Sequence, residues 1–238
     1  MILFYEPEIS INSLCTLSPD ESRHVVQVLR LKKGNLLHIT NGKGSLFIAE
    51  LLDDNHKRCA VMVKEEQYFK ENDSNIHIAV APTKNMERME WFVEKAVELG
   101  IDEITPIICK HSERKEIKTE RLNKVAVAAM KQSLKYRLPI INEAVKFDKL
   151  IKECMHEQKF ICFGEASPDN NLSTIDIHKG QNIFLIGPEG DFSDEEIQAA
   201  KAQGFLGLFL GNSRLRTETA ALHVVSICHY KNQVSNKY

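Results

Sequence analysis

The sequence predicts an α/β protein in which helices cover both faces of a parallel sheet, preceded by a small barrel-like β module. Strand and helix patterns alternate from residue 76 onward, which is typical of parallel sheets. Residues 1–70 instead carry short strand candidates separated by turn residues. Residues 69–75 are polar and lack periodicity, so the domain boundary is placed there. The predicted domains are residues 1–70 and 76–238.

The first domain is predicted to contain one short helix followed by strands. The helix begins after Ser18, because Pro19 follows at its first position and Glu21 at its third. The tetrapeptide NGKG at residues 41–44 is a hairpin turn signal. The strand candidates are LLHIT at 36–40, SLFIAELL at 45–52 and CAVMVKE at 59–65.

The second domain shows helical spacing of apolar residues between short apolar runs. In residues 85–100 these residues fall on one side of a helix, and Gly100 follows its last turn. Ser193 opens a later helix that ends before Gly204. The other predicted helices cover residues 119–136 and Thr217 to about Tyr230. The predicted strands are residues 76–82, 104–109, 159–164, 182–187 and 206–211.

The composition is that of a globular protein with a sizeable core. The chain has 238 residues, of which 43% are hydrophobic and 27% charged. No apolar run approaches the roughly 18 residues of a membrane span, and the N-terminus MILFYEPEIS lacks the basic start of a signal peptide. We therefore expect a cytoplasmic protein without a membrane partner. The net charge of −2 argues against a general coat of positive charge for nucleic acid, but permits a local basic face.

The cysteines and histidines do not predict a metal site. Six cysteines are scattered without a CxxC pair, as expected of reduced thiols. The nine histidines show no HxxxH or HExxH spacing. Cys109 and His111 are close in sequence but lack a second pair.

An acidic glycine turn interrupts the segment NIFLIGPEGDFSDEEIQAAKAQG at residues 182–204. Gly187-Pro188-Glu189-Gly190 lies between a strand and a helix, a position that usually favours phosphate. The pattern is neither GxGxxG nor GxxxxGK[ST], and further acids follow at once. Ser193 and Glu196 form a capping box that already satisfies helix amides. The turn therefore suits a neutral or cationic ligand, or it is an ordinary tight turn without one.

A second informative segment is LFLGNSRLRTETAALHVVSICHY at residues 208–230. A strand ends at Gly211, and the following loop carries Arg214 and Arg216. An ordinary helix start explains Thr217 as N-cap and Glu218 as a first-turn acid. It does not explain an arginine at a strand end. Ligands of open parallel sheets bind outside the carboxyl ends of strands, where both glycine turns lie.

These two segments resemble the paired motifs of a known enzyme family. LIGPEGDFSDEEI and LGNSRLRTETAAL are similar to motifs of the RsmE family, S-adenosylmethionine-dependent methyltransferases of the SPOUT superfamily. The family modifies N3 of a uridine in 16S ribosomal RNA. HVVQVLRLKKGN resembles its N-terminal PUA-like RNA-binding domain, and PTKNMERMEWFVEKAVELGIDEITPI resembles its first catalytic strand-helix-strand unit. The segment AAMKQSL resembles a third family motif.

The resemblance implies a fold, a cofactor and partners. The expected fold is an α/β SPOUT domain with a C-terminal trefoil knot, plus a PUA-like β-barrel domain. The expected partners are a second copy of the chain and 16S ribosomal RNA or the small ribosomal subunit. S-adenosylmethionine is expected to bind at Phe163, Gly164, Ile186, Gly187, Pro188, Glu189, Gly190, Leu210, Gly211, Leu215, Arg216, Thr217, Thr219 and Ala220.

The sequence departs from the family pattern in three places. Asp191 stands where the family usually has a second glycine, which bears on the cofactor pocket. Gln27 stands where an arginine is common, and KQSLKYRLP replaces the more usual EQSGR. The last two departures bear on RNA contacts.

The implied chemistry assigns roles to two residues. Uracil N3 must lose a proton before methylation, and the anion spreads onto O2 and O4. Arg216 is the predicted stabiliser of that charge. Glu218 is a possible base, against its ordinary role as a first-turn acid, and solvent is a third acceptor. The uridine must be presented with its Watson–Crick edge free.

RNA contacts are predicted on basic residues of both domains. Residues 110–124 mix basic and acidic side chains and are interpreted as a solvated face. Two other readings stay open: a SPOUT methyltransferase acting on another RNA position, and a non-catalytic RNA-binding or ribosome-assembly protein. The predicted RNA contacts are Arg23, Arg30, Lys32 and Lys33 in the first domain, and Lys131, Lys135 and Arg137 in the second.

Overall fold

The chain divides into two compact units. A computed structural model describes residues 1–70, 74–177 and 180–235. The first unit contains residues 1–70 and also residues 127–138, and the second contains the rest of the described chain. Residues 127–138 were expected in the second domain. The predicted boundary at 69–75 lies partly on residues 71–73, which are outside the described residues.

The first unit is built on a five-stranded sheet. Its strands are β1 Leu3–Tyr5, β2 Leu14–Thr16, β3 Leu36–Thr40, β4 Ser45–Asp53 and β5 Ala60–Tyr68. The order in the sheet is β1-β3-β4-β5-β2; β1 runs parallel to β3, and the other neighbours are antiparallel. The three strands predicted from sequence are confirmed as β3 to β5, whereas β1 and β2 have only three residues each.

The predicted short helix is present as α1, Pro19–Arg23. The Ser18 hydroxyl accepts a hydrogen bond from the Glu21 N–H at 3.3 Å, which is the expected cap. The helix continues into a π-helical turn, His24–Val28. Side chains of this turn and of the sheet form the unit's own core, with Phe4, Phe47, Leu37, Ile39 and Val25 fully buried.

The second unit is a parallel sheet with helices, as predicted. The strands are β6 Ser74–Val80, β7 Glu103–Ile108, β8 Ile140–Ile141, β9 Val145–Lys146, β10 Gln158–Cys162, β11 Gly180–Ile186 and β12 Leu206–Leu208. The sheet order is β12-β10-β11-β6-β7-β8, every pair is parallel, and β9 also pairs with β7. The helices are α2 Met86–Leu99, α3 Thr119–Gln132, α4 Phe147–Glu153, α5 Asp194–Ala202 and α6 Thr217–Ser235.

The apolar runs of β6 and β11 form the centre of this sheet. Ile78, Val80, Phe184 and Leu185 are fully buried, as expected of parallel strands covered on both faces. Strands β12, β10 and β11 are neighbours, so the loops after their carboxyl ends converge at one edge. Among the helices of the described chain, none is long and apolar enough to cross a membrane.

Candidate active site

A cavity of about 360 Å³ opens at the carboxyl ends of β10, β11 and β12. Three loops form it: the segment after β10, the acidic glycine turn after β11, and the segment between β12 and α6. Its lining residues are Cys162, Phe163, Gly164, Ile186, Gly187, Pro188, Glu189, Gly190, Asp191, Phe209, Leu210, Gly211, Ser213, Arg214, Leu215, Thr217 and Ala220.

The glycine turn after β11 is a tight turn closed by the backbone. The Asp191 N–H donates to the Pro188 carbonyl oxygen at 2.9 Å. Asp191 itself has a φ of 60°, in the left-handed region that glycine adopts without strain and that aspartate tolerates better than most residues. This conformation gives a physical reason for a glycine at this position in the family, and for aspartate as its replacement here.

The Asp191 carboxylate holds the turn to its neighbours. Its Oδ1 accepts from the Phe192 N–H at 2.8 Å, and its Oδ2 accepts from the Gly164 N–H at 3.2 Å. The second bond joins the loop after β10 to the loop after β11. Asp191 therefore replaces glycine with a residue that also fixes the two loops together.

Three other acids of this segment, Glu189, Glu195 and Glu196, also have partners within the protein. Glu189 accepts from the Lys84 N–H at 3.1 Å. Glu196 completes the predicted capping box with Ser193 and accepts from the Lys110 N–H at 2.8 Å. Hydrogen bonds from the Ser193 side chain and from Lys110 lower the pKa of Glu195 to about 2. These contacts account for the acids by themselves, so the acidity of the turn does not by itself require a cationic ligand.

Gly187 and Thr217 join the two predicted motifs. The Thr217 hydroxyl donates to the buried Gly187 carbonyl oxygen at 3.1 Å. A Cβ at Gly187 would lie 3.2 Å from two ring carbons of Phe192, so the position is tight. Helix α6 begins at Thr217, and the Ala220 N–H donates to the Arg216 carbonyl. Thr217 is thus the first helical residue, and its hydroxyl serves the neighbouring loop instead of capping its own helix.

The cavity brings together most of the predicted cofactor residues. Arg216 and Thr219 are not in the lining, and both are exposed. Burial raises the pKa of the Cys162 thiol, so this residue lines the cavity as a protonated thiol. Lining residues that were not predicted are Cys162, Asp191, Phe209, Ser213 and Arg214. Asp191, Ser213 and Arg214 lie within the two motifs, whereas the sequence signal of Cys162 and Phe209 is adjacency to a predicted residue.

The two arginines of the loop before α6 differ in position. Arg214 lines the cavity, whereas Arg216 lies beside it in the residue just before the helix. Both are exposed. Neither guanidinium makes a hydrogen bond or ion pair with a residue in the described part of the chain. Both cations are therefore available to an anionic group at the mouth of the cavity.

Glu218 is not among the residues that line the cavity. Its side chain is 9% exposed, and Oε1 lies 3.8 Å from Nε of Arg88 in α2. Its Oε2 is buried and has no hydrogen-bond partner among the described residues. This position is that of a first-turn acid packed against α2.

Three of the predicted RNA contacts already have acidic partners in the first unit. Arg23 lies 3.7 Å from Asp20, and Lys32 lies 3.6 Å from Asp54; both pairs are exposed. Such surface pairs contribute little stability and release their cation readily. The ammonium of Lys131 lies 2.5 Å from Glu21 in a mostly buried pair.

The remaining predicted RNA contacts also lie in the first unit. Arg137 donates to the carbonyl oxygens of Lys43 and Phe69 and to the Tyr68 hydroxyl. Arg30 is exposed with a φ of 56°, and Lys33 is exposed nearby. Lys135 is partly exposed. All seven candidates thus belong to one unit, not to two domains as expected.

Comparison with known proteins identifies the class. Residues 70–229 match the family described as RNA methyltransferase domain, and residues 17–63 match the family described as RNA methyltransferase PUA domain. The parallel sheet, its cavity and these matches define a SPOUT-type RNA methyltransferase with a PUA domain.

Individual relatives narrow the class to one family. A Porphyromonas gingivalis structure, described as a probable rRNA methyltransferase, is 37% identical with a TM-score of 0.90, covering 99% of this chain and 100% of that one. Ribosomal RNA small subunit methyltransferase E of Neisseria gonorrhoeae, bound to S-adenosyl methionine, is 26% identical with a TM-score of 0.87, covering 97% and 98%. The Aquifex aeolicus enzyme of that name is 29% identical over 234 residues, covering 95% and 98%. The chain belongs to the RsmE family, and the predicted resemblance is confirmed.

Proposed function

We propose that this protein transfers a methyl group from S-adenosylmethionine to N3 of a uridine in 16S ribosomal RNA. The observation that carries the proposal is the cavity at the carboxyl ends of β10 to β12, built from both family motifs. The name of the relatives, ribosomal RNA small subunit methyltransferase E, supports the substrate.

The residues present fit the cofactor. A cavity of about 360 Å³ lies within the usual range for small-molecule sites, about 300–1,000 Å³. Its lining combines apolar side chains such as Leu210 and Leu215 with backbone groups of the glycine loops. Two carboxylates, Glu189 and Asp191, make it unfavourable for a phosphate and acceptable for a cation. When bound, S-adenosylmethionine supplies an electrophilic methyl group on its sulfonium.

The arginines are proposed to act on the uracil. Arg216 stabilises the negative charge that develops on O2 and O4 after N3 loses its proton. Arg214, which lines the cavity, is the second cation within the same loop. Two proton acceptors remain in the proposal, Glu218 and solvent. The contact of Glu218 with Arg88 favours solvent.

The proposal includes a trefoil knot formed by the last strands and α6, and a homodimer. A groove beside α6 supports the dimer: Tyr230 is 65% exposed there, next to Ile227 and His223. Leu210 and Gly211 line both this groove and the cavity. A dimer through this groove would place a cofactor site close to the interface. Val224 and Val225, by contrast, are buried in the chain's own core.

We further propose that the first domain, residues 1–70, contributes RNA affinity and that residues 76–238 carry the chemistry. Four of the seven basic candidates lie in residues 1–70, and the other three lie in residues 127–138 of the same compact unit, which supports a role of that unit in RNA binding. The substrate implies action where ribosomal subunits are assembled, in the cytoplasm.

Cofactor binding by the purified chain tests the site. Calorimetry should show S-adenosylmethionine binding in the wild type. Gly190 lines the cavity, and a Cβ there would be 3.4 Å from the His111 Cβ, which a small shift accommodates. Gly190→Ala should therefore bind, and Gly190→Val should lose most affinity. Equal affinity of a folded Gly190→Val variant would remove the cofactor from this cavity, and no binding at all would favour a non-catalytic protein.

A further inference from the structure

A second cavity, of about 390 Å³, lies near the amino ends of the strands of the parallel sheet. His77 lies in β6, Glu103 begins β7, and His156 lies just before β10. These positions are near the amino ends of the strands, whereas the first cavity lies at their carboxyl ends. The proposed methyl transfer does not use this cluster.

The two histidines face each other through ring nitrogens. His77 Nδ1 lies 3.0 Å from His156 Nε2. The other nitrogen of each ring has its own partner: His77 Nε2 is 2.8 Å from Thr105 Oγ1, and His156 Nδ1 is 3.5 Å from Cys154 Sγ. When these outer nitrogens carry the protons, two lone pairs point at one another. A cation between them would stabilise that arrangement, whereas in the other tautomers one ring N–H donates to the second ring.

Such outer contacts are the usual support of a metal-bound histidine, whose second ring N–H donates to a fixed neighbouring group. Nitrogens bound to one zinc ion at about 2.0–2.1 Å in tetrahedral geometry are about 3.3 Å apart. The observed separation of 3.0 Å is close to that value. The His156 ring is partly exposed, and a small rotation of it would bring the separation of the two nitrogens to the value expected of zinc ligands.

Glu103 offers the third potential metal ligand, an oxygen of its carboxylate. One ligand atom from each of His77, Glu103 and His156 lies within 4.8 Å of the other two, and Glu103 Oε1 is 3.7 Å from Nε2 of His77. Asn142 donates to Glu103 Oε1 at 2.6 Å and so holds the carboxylate in place. The described lining residues include three carboxylates, of Glu103, Glu143 and Glu153, and no lysine or arginine. This lining favours a cation over any other small ligand.

We propose that His77, His156 and Glu103 bind a zinc ion. Two imidazoles and one carboxylate, with water as a fourth ligand, are a common zinc donor set, whereas magnesium prefers oxygen ligands alone. The ion would connect β6, β7 and the segment before β10. The three ligands lie far apart in sequence, so no local spacing of histidines indicated them, and the expectation of no metal rested on local spacing.

Zinc titration of the chelator-stripped protein tests the proposal. In competition with a chromophoric chelator, the wild type should bind one equivalent, and excess Mg²⁺ should not displace it. His156→Gln should weaken binding by more than about tenfold, and so should Glu103→Gln. His56→Gln, at an exposed histidine of the first unit, is the matched control and should bind like the wild type.

Circular dichroism and thermal melts establish that each variant is folded. His156 is only partly buried, so its substitution should be tolerated. If His156→Gln does not fold, Glu103→Gln decides alone. Absence of stoichiometric zinc binding, or unchanged affinity in folded His156→Gln or Glu103→Gln, overturns the site, because zinc would then be held by other surface groups.

Discussion

The hydroxyl of Thr217 donates a hydrogen bond to the carbonyl oxygen of Gly187 at 3.1 Å, and both residues are buried. Gly187 directly follows β11, and Thr217 begins α6, thirty residues later. The bond therefore ties the acidic glycine turn to the helix that carries the second motif. Two segments that the sequence presents separately form one wall of one cavity.

Thr217→Val should weaken this wall without changing side-chain volume. The Gly187 carbonyl would lose its partner in a buried site, which costs about 1–3 kcal/mol of unfolding free energy. Cofactor affinity should fall with it. Thr16→Val, at an exposed position of β2 in the first unit, is the matched control and should change neither quantity. Denaturant unfolding and calorimetry measure both; equal behaviour of the two variants would contradict a structural role for the bond.

Asp191 should prove important for its conformation and for its carboxylate. Asp191→Ala removes the bonds to the Phe192 and Gly164 N–H groups and leaves alanine at a φ of 60°. Because the site is exposed, we expect a loss of about 1 kcal/mol. Asp191→Asn keeps an acceptor and tolerates the left-handed region, so its loss should be smaller. Thermal unfolding orders the variants, and an alanine variant as stable as the wild type would show that the two bonds contribute nothing.

The sequence predicted the parts of the fold that carry strong local signals. The apolar runs of β6 and β11 and the capping box at Ser193 appear where they were expected. Strands β1 and β2 were missed, because three residues carry no readable alternation and are fixed only by pairing with β3 and β5.

Tertiary contacts account for the other differences between the predictions from sequence and the structure. Residues 127–138 join the first unit although their helix begins like any helix of the second domain, since helical spacing does not say which core a helix packs against. The sequence predicted that Arg216 lines the cavity, but Arg214 does so instead, because the path of one short loop decides which of the two reaches the cavity. The partners of Glu189 and Asp191 lie in distant segments, so the sequence left two readings of these acids open, a ligand site or an ordinary tight turn.

Charge reversal in the first unit should weaken RNA binding without affecting cofactor binding. Arg30→Glu with Lys32→Glu removes two cations that are predicted to bind phosphates. The salt dependence should flatten by about one unit of log-log slope for each phosphate that is no longer neutralised. Lys118→Glu with Lys124→Glu, on the predicted solvated face of the second unit, is a control of equal charge change. Filter binding at several salt concentrations decides, and equal effects of the two pairs would mean that net charge alone governs affinity.

Arg216 should matter for turnover more than for folding. Arg216→Ala removes a cation that has no hydrogen bond or ion pair within the described chain, so stability and cofactor affinity should hold. Single-turnover methylation should fall about a hundred- to a thousand-fold. Arg216→Lys should recover only part of the rate, because a point charge lacks the planar fork of the guanidinium.

Arg214→Ala is the matched comparison, two residues away in the same loop. If Arg214→Ala loses the rate and Arg216→Ala keeps it, the charge-stabilising role belongs to the arginine in the cavity lining. If neither loses it, the uracil anion has another partner.

Mapping of methylated uridines in 16S ribosomal RNA tests the central claim most directly. A methyl group on N3 blocks Watson–Crick pairing, so it stops reverse transcription and adds the mass of one methylene to a defined fragment. In a strain that lacks this protein, one such uridine should lose its mark. Wild-type protein should restore it, and the Gly190→Val variant should not. An unchanged 16S ribosomal RNA in the deletion strain, with a mark missing from another RNA instead, would contradict the proposed substrate.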